Sequence, residues 1–265
     1  MMKDPLNRIE IENMSLSYPI VHSDSYSFKR WMSRGFNTSE NFETEFHALK
    51  NLTLTIKNGE RVGLIGLNGA GKTTLLKTIS GIYKPYEGRL SVQGNVSSIL
   101  DFATGFEGEM TGVENIYIRG LLLGMDPETI RQKTEDIIKF SELGDQIHQP
   151  VRTYSAGMFV RLAFATITSV DPDILVMDEV VGAGDASFQD KAEKRLRSLI
   201  ARGNVVIMSS HSMDMIEEFC TRVIWLEKGV IMADGATNDV IKAYLASVQN
   251  NPDHLQTLDT RKINS

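Results

Sequence analysis

Gly66-Leu67-Asn68-Gly69-Ala70-Gly71-Lys72-Thr73 is the stretch on which the reading of this chain turns. It has the form GxxxxGK[ST], behind a strand-like apolar run, Arg61 to Leu67, and before a helix-like run, Lys72 to Ile79. Glycines here let backbone N–H groups turn inward around phosphate oxygens, where side chains would obstruct them. The helix start adds partial positive charge. Gly66, Leu67, Asn68, Gly69, Ala70 and Gly71 then form a phosphate cradle that continues through Lys72, Thr73 and Thr74. Lys72 reaches the terminal phosphates, and the Thr73 hydroxyl can ligate Mg²⁺. A glycine-rich turn with a stray lysine is the plain alternative, and the strand and helix on either side argue against it.

Such a cradle needs an acid on a neighbouring strand. Ile174-Leu175-Val176-Met177-Asp178-Glu179 supplies one: four apolar residues predict a buried strand, with the acids emerging at its end. Asp178 is placed to hold Mg²⁺ through its water shell, and Glu179 to polarise an attacking water as general base.

Outward from these two segments, Ile9 to Tyr18 alternates apolar and polar residues, as a half-exposed strand does, and Leu52-Leu54-Ile56 alternates again. Between them residues 19–46 break the pattern. Tyr26, Phe28, Trp31 and Met32 fit one face of a short helix there, either packed on its own domain or lying at a membrane surface. From Phe102 to about Val170 the pattern is mainly helical. Asp126-Pro127-Glu128 opens one helix that Gly144 is placed to end, and Ser155 caps another running to about Ser169. Beyond this lobe, Asp185 begins a helix to Ala201, Asn204 to Ser209 is a strand and Ser212 caps a helix. Arg222 to Met232 is a hairpin, Thr237 to Val248 a last helix, and the polar remainder a loose tail. Alternating strands and helices predict an α/β layered fold.

Composition narrows the class. A hydrophobic fraction of 42 % and a charged fraction of 23 % suit a soluble globular chain. A net charge of −6 argues against general affinity for nucleic acid. The single cysteine, Cys220, cannot form an internal disulfide and suits a reducing compartment. No window reaches the ~18 consecutive apolar residues of a membrane span, and the N-terminal residues lack the apolar stretch of a secretory signal. The expectation is a cytosolic chain that meets a membrane only through a partner or a surface segment.

Tyr154-Ser155-Ala156-Gly157-Met158, followed by Arg161-Leu162-Ala163, lies upstream of the second acidic segment. With the phosphate loop and Asp178-Glu179, it resembles the ABC ATPase family, whose serine-glycine signature faces ATP held by the other subunit. The resemblance covers residues 8–247. It implies a P-loop NTPase cassette over 1–247, with a RecA-like α/β core, a helical subdomain at about 101–170, an N-terminal antiparallel β-subdomain and a tail at 248–265. It also implies ATP and Mg²⁺ as cofactors, and a homodimer in which Ser155 and Gly157 complete the partner's site. By position, Asp185 of Gly182-Ala183-Gly184-Asp185 falls in the loop that crosses the dimer interface. His211 resembles the histidine that contacts the γ-phosphate, and Tyr18 the aromatic that stacks on adenine. Two departures stand out. Ala156 and Met158 replace a glycine and a glutamine, and the glutamine usual at the entry to the helical lobe is missing. Asp101 is nearest to that place, either an ordinary loop acid or a Mg²⁺-linked one.

YSAGM with RLAFA, the run from Gly105-Phe106 to Ile116, and the insert 19–46 are similar to ATPases that export bacterial polysaccharides. That resemblance implies a peripheral subunit on the cytoplasmic face of the inner membrane. It would work with two copies of an integral membrane permease and a lipid-linked polysaccharide, O-antigen before capsule or teichoic acid. A soluble, non-transport ABC ATPase is the alternative; tandem cassettes or long coiled coils would favour it, and the chain shows neither.

Overall fold

A computed structural model describes residues 8–19, 45–100, 104–178 and 186–250. Asp101, Glu179, Asp185 and the Tyr26, Phe28, Trp31 and Met32 stripe lie outside these residues.

Two sheets form the body. An antiparallel one has the order β2-β1-β4, from β1 (Arg8–Pro19), β2 (Glu45–Ile56) and β4 (Glu87–Gln93). The other is six-stranded, in the order β5-β6-β7-β3-β8-β9. Its members are β3 (Arg61–Ile65), β5 (Val96–Ile99), β6 (Ile174–Asp178), β7 (Val205–Ser209), β8 (Arg222–Glu227) and β9 (Val230–Ala236). All its pairings are parallel except that of β8 with β9.

The central strands are apolar because both their faces are covered. Period-two alternation sends Ile174, Val176, Val205, Ile207, Ile224 and Leu226 to one face, against the antiparallel sheet and helix α1 (Lys72–Ile79). The other face carries Leu175, Met177, Val206, Met208 and Val223 into a second core with the remaining helices. These are α2 (Gly112–Leu122), α3 (Pro127–Ser141), α4 (Ala156–Ile167), α5 (Ala186–Arg202), α6 (Met213–Phe219) and α7 (Thr237–Asn250). Cys220 lies in this second core, where burial pushes its thiol up to about 12 and leaves it unreactive at neutral pH. Among the described residues no helix is long and apolar enough to cross a membrane.

Several boundaries differ from the sequence expectation. β1 and β2 pair out to Pro19 and Glu45, so the interruption between them is shorter than 19–46 at both ends. The helix α3 stops at Ser141, where Glu142 takes the left-handed conformation (φ 57°), before the Gly144 that was expected to end it; Gly144 (φ 53°) opens a 3₁₀ turn. The last helix runs to Asn250. Strands β4 and β5, not anticipated from the sequence, close the two sheets.

Within the helical lobe, α2 starts in a reciprocal cap. Thr111 Oγ1 accepts from the Glu114 amide at 3.2 Å, and Glu114 Oε2 accepts from the Thr111 amide at 2.8 Å. Fully buried Asn115 ties down the preceding loop: its Nδ2 donates to the carbonyls of Glu107, Met110 and Thr111, and its Oδ1 accepts from the Glu107 amide. Phe140, Phe164 and Phe188 interlock the lobe with α5. Lys191 and Arg195 of α5 add salt bridges to Glu142 and Asp136, and both lie over the Phe140 ring.

Three glycines join the antiparallel sheet, the phosphate loop and the β8–β9 turn. The Gly229 amide donates to the Ala70 carbonyl at 2.9 Å, and the Gly229 carbonyl accepts from the Lys50 amide at 2.8 Å. A Cβ on Gly229 would stand 2.5 Å from the Ala48 carbonyl oxygen, one on Gly71 2.9 Å from the same atom, and one on Gly66 2.1 Å from the Leu226 carbonyl oxygen.

The alternation of β1 slips by one residue at Glu12-Asn13, both exposed, where Asn13 adopts φ 47° in a bulge. Gly88 of β4 (φ 77°) lies against it, and a Cβ there would meet the Asn13 and Glu12 carbonyl oxygens at 2.3 and 2.4 Å. Strain and clash together make Gly88→Ala cost about 2–3 kcal/mol, which lowers Tm by roughly 5–10 °C in a chain of this size. A thermal melt of the nucleotide-free chain measures this, and a change under ~1 °C would refute the fit between glycine and bulge.

Candidate functional site

The candidate site follows from where the strands of the parallel sheet end. β3 leads into the phosphate loop, β6 ends at Asp178 and β7 ends at Ser209, at neighbouring positions on one sheet edge. In open α/β sheets, ligand crevices form at this carboxyl edge. One cavity is lined there by Asn68, Gly69, Ala70, Gly71, Lys72, Thr73 and Thr74 of the loop and α1, by Asp178, Ser209 and His211, and by Phe46 and Ala48 of β2.

The loop glycines divide by cause. Gly69 has open space around its Cβ position, so its backbone angle (φ 77°) is what requires glycine. Gly66 and Gly71 are required additionally by the carbonyls packed behind them. Gly71 (φ 106°) also precedes α1 without any side-chain cap bond, which leaves the first-turn N–H groups for an anion. Lys72 is buried, and its Nζ donates to the carbonyls of Gly66 at 2.6 Å and Leu67 at 3.1 Å, so its ammonium is held at the cavity wall by its own loop. Asp178 is half-buried, and one of its oxygens accepts from the Ser209 hydroxyl.

Among the sequence-predicted residues, the cavity gathers Asn68, Gly69, Ala70, Gly71, Lys72, Thr73, Thr74, Asp178 and His211. Gly66 and Leu67 stand just behind, through their carbonyl contacts with Lys72. The aromatic on the cavity wall is Phe46, not Tyr18. Tyr18 is opposite Phe46 in the β1–β2 ladder. Its hydroxyl donates to Thr74 Oγ1 at 3.3 Å and its ring meets Tyr83 edge-on at a centroid distance of 5.4 Å, so it is tied down beside the cavity. Burial raises its phenol pKa. Phe46 is 52 % exposed. Phe46, Ala48 and Ser209 are the lining residues that sequence reasoning missed; Phe46 was read as part of the 19–46 interruption, and a serine closing an apolar strand was the one signal for Ser209.

Ser155 and Gly157 are not among the cavity-lining residues. Ser155 is exposed and caps α4, its Oγ accepting from the Met158 amide at 3.2 Å. A Cβ on Gly157 would have its nearest neighbour 4.0 Å away, so nothing in its own chain demands glycine. Tyr154 anchors this segment: its hydroxyl donates to the Gln146 carbonyl at 2.9 Å, and Gly112 leaves the room for it.

Comparison with known proteins identifies the family. The family model described as ABC transporter matches residues 49–182. An O-antigen export system ATP-binding protein of Klebsiella pneumoniae is 38 % identical over 240 residues, covering 89 % of this chain and 96 % of the relative. One of Yersinia enterocolitica is 41 % identical, covering 83 % and 94 %. A teichoic acids export ATP-binding protein of Lactococcus lactis is 39 % identical, covering 91 % of this chain and 51 % of the relative. Among solved structures, a dimeric ATP-binding cassette in a post-hydrolysis state with ADP and Pi superposes with a TM-score of 0.63 at 22 % identity, over 86 % of this chain and 98 % of that one. With the family model spanning half of its length and relatives matched almost end to end, this chain belongs to the ABC transporter family and is one of its ATPase subunits.

Proposed function

We propose that the chain binds MgATP in this cavity and powers export of a lipid-linked bacterial polysaccharide, O-antigen first, across the inner membrane. The observation that carries the chemistry is the cavity itself: an uncapped helix start, Lys72, Thr73, Thr74, Asp178 and His211 converge on one space. The export reading rests on relatives named for O-antigen and teichoic acid export. Its partners are a second copy of this chain and two copies of a membrane permease, engaged at the cytoplasmic face.

In this reading the loop amides and Lys72 bind the β- and γ-phosphates, Lys72 exchanging its carbonyl partners for phosphate oxygens. Thr73 and Asp178 suit a hard cation: one alcohol and one carboxylate, and among the described residues no group of three or more His, Cys, Asp or Glu that could cage a metal alone. Mg²⁺ takes few protein ligands where phosphates and water supply the rest. When bound it would neutralise charge on the terminal phosphates. His211 contacts the γ-phosphate, and Glu179 polarises the attacking water. Asp185 crosses to the partner, and Asp101, nearest the entry to the helical lobe, is either a loop acid or a Mg²⁺-linked one.

Glu179→Gln should keep ATP binding and lower turnover by about 10² or more, trapping the paired state. In cells lacking the chain, lipid-linked glycan should accumulate on the cytoplasmic side, and a copy carrying Lys72→Ala should not restore export. Normal export with Lys72→Ala would sink the proposal.

Gly157 supports the paired arrangement, because a glycine that its own helix does not require costs helix stability for no internal gain. Ser155→Arg should abolish cooperative hydrolysis while leaving nucleotide affinity of the monomer nearly unchanged. Full-rate hydrolysis by monomers would overturn the shared site.

The exposed ring of Phe46 is the better platform for the base, since Tyr18 is held by Thr74 and Tyr83. Stacking of a base on an aromatic ring is worth about 1–3 kcal/mol. Phe46→Ala should therefore weaken ATP binding about tenfold and leave tripolyphosphate binding unchanged, with Tyr18→Phe close to wild type. Equal losses for both ligands in a binding titration would rule out the base contact.

A further inference from the structure

The contact between Ser209 and Asp178 belongs to none of the motifs above. We propose that Ser209 is a positioning residue whose hydroxyl fixes the Asp178 carboxylate for Mg²⁺ at the cavity. This rests on the reading of Asp178 as the Mg²⁺ acid.

The two residues are direct partners at the ends of adjacent parallel strands, and the Ser209 hydroxyl donates to Asp178 Oδ1. Alternation puts Asp178 in step with Ile174 and Val176, and Ser209 in step with Val205 and Ile207. That is the sheet face covered by α1, the helix whose start carries Lys72 and Thr73. Both residues line the cavity with Lys72 and Thr73.

Ser209 is the odd residue of its strand. Val205, Val206, Ile207 and Met208 are apolar and at most 1 % exposed, and Ser209 is 2 % exposed. A hydroxyl buried at such a place is unfavourable without a partner, and its partner here is an acid. A carboxylate has two oxygens: the serine occupies one, and the other remains for a cation or its water. Without the hydroxyl, the carboxylate at a strand end turns about its own bonds and must be ordered when the cation arrives. Partners that orient a metal ligand in this way change metal affinity by about 10–100-fold. A merely structural serine would instead change stability and leave the cation dependence untouched.

The test is calorimetric binding of ATP to the purified full chain, with Mg²⁺ titrated and, separately, in EDTA. Ser209→Ala should raise the Mg²⁺ concentration that half-saturates the enhancement of ATP binding by about tenfold, leave affinity in EDTA within about twofold, and be rescued by Ser209→Thr. If Ser209→Ala melts early, the nearly isosteric Ser209→Cys carries the same comparison, with a smaller shift in the same direction because a thiol is a weaker donor. Asp178→Ala is the control. If it leaves the Mg²⁺ dependence unchanged, Asp178 is not the Mg²⁺ acid and the proposal falls with that reading. If Asp178→Ala shifts the dependence and neither Ser209→Ala nor Ser209→Cys does, the role of Ser209 alone is overturned.

Discussion

One residue, Gly229, bonds the phosphate loop to the antiparallel sheet. Gly229 donates to the Ala70 carbonyl and accepts from the Lys50 amide, so the β8–β9 turn is bonded to the loop on one side and to the antiparallel sheet on the other. Buried backbone groups must be paired, and here each pairing draws two elements together. The closeness admits no side chain. The Ala48 carbonyl oxygen lies within 2.9 Å of where the Cβ atoms of Gly71 and Gly229 would be, and Lys228, beside Gly229 in the turn, also has positive φ (48°). Phe46 and Ala48 reach the cavity from β2 because this junction brings β2 up to the loop.

The sheet supplies the other half of the site. Because β3, β6 and β7 are parallel and adjacent, their ends deliver the loop, Asp178 and Ser209 to one edge. Their faces are filled by Val, Ile, Leu and Met on both sides, so the strand ends have little freedom to move. The polar residues of the cavity therefore sit on rigid supports, as a charged ligand requires if binding is not to be spent on ordering the protein.

Most of this was legible in the sequence where a residue type has one physical use. The glycine–lysine–threonine run, the apolar strand ending in acids, and the caps at Asp126, Ser155 and Ser212 could all be read locally, and the structure uses each cap as expected. What escaped depends on residues distant in sequence. β4 has no buried residue and carries Gly88 for the sake of a bulge in β1, so it shows no alternation; β5 has only four residues. Glu142 rather than Gly144 ends α3, a choice that composition alone does not reveal. Ser209 looks like filler in an apolar strand until its neighbour across the ladder is known. Phe46 gains its place on the cavity wall only through the junction at Gly229. Glu179, Asp101 and Asp185 lie outside the described residues, so their roles remain proposals drawn from the sequence.

Gly66 has a consequence for how such motifs persist. The carbonyl of Leu226, a residue of β8, lies 2.1 Å from where the Cβ of Gly66 would be. A descendant that had lost all use for nucleotide would still be held to glycine at this position, because the hairpin behind the loop forbids anything larger. Lys72 and Asp178 carry no comparable steric demand and would be free to drift. Retention of the glycine would then record ancestry of the scaffold, while retention of the lysine and the acid would record continued selection for the reaction.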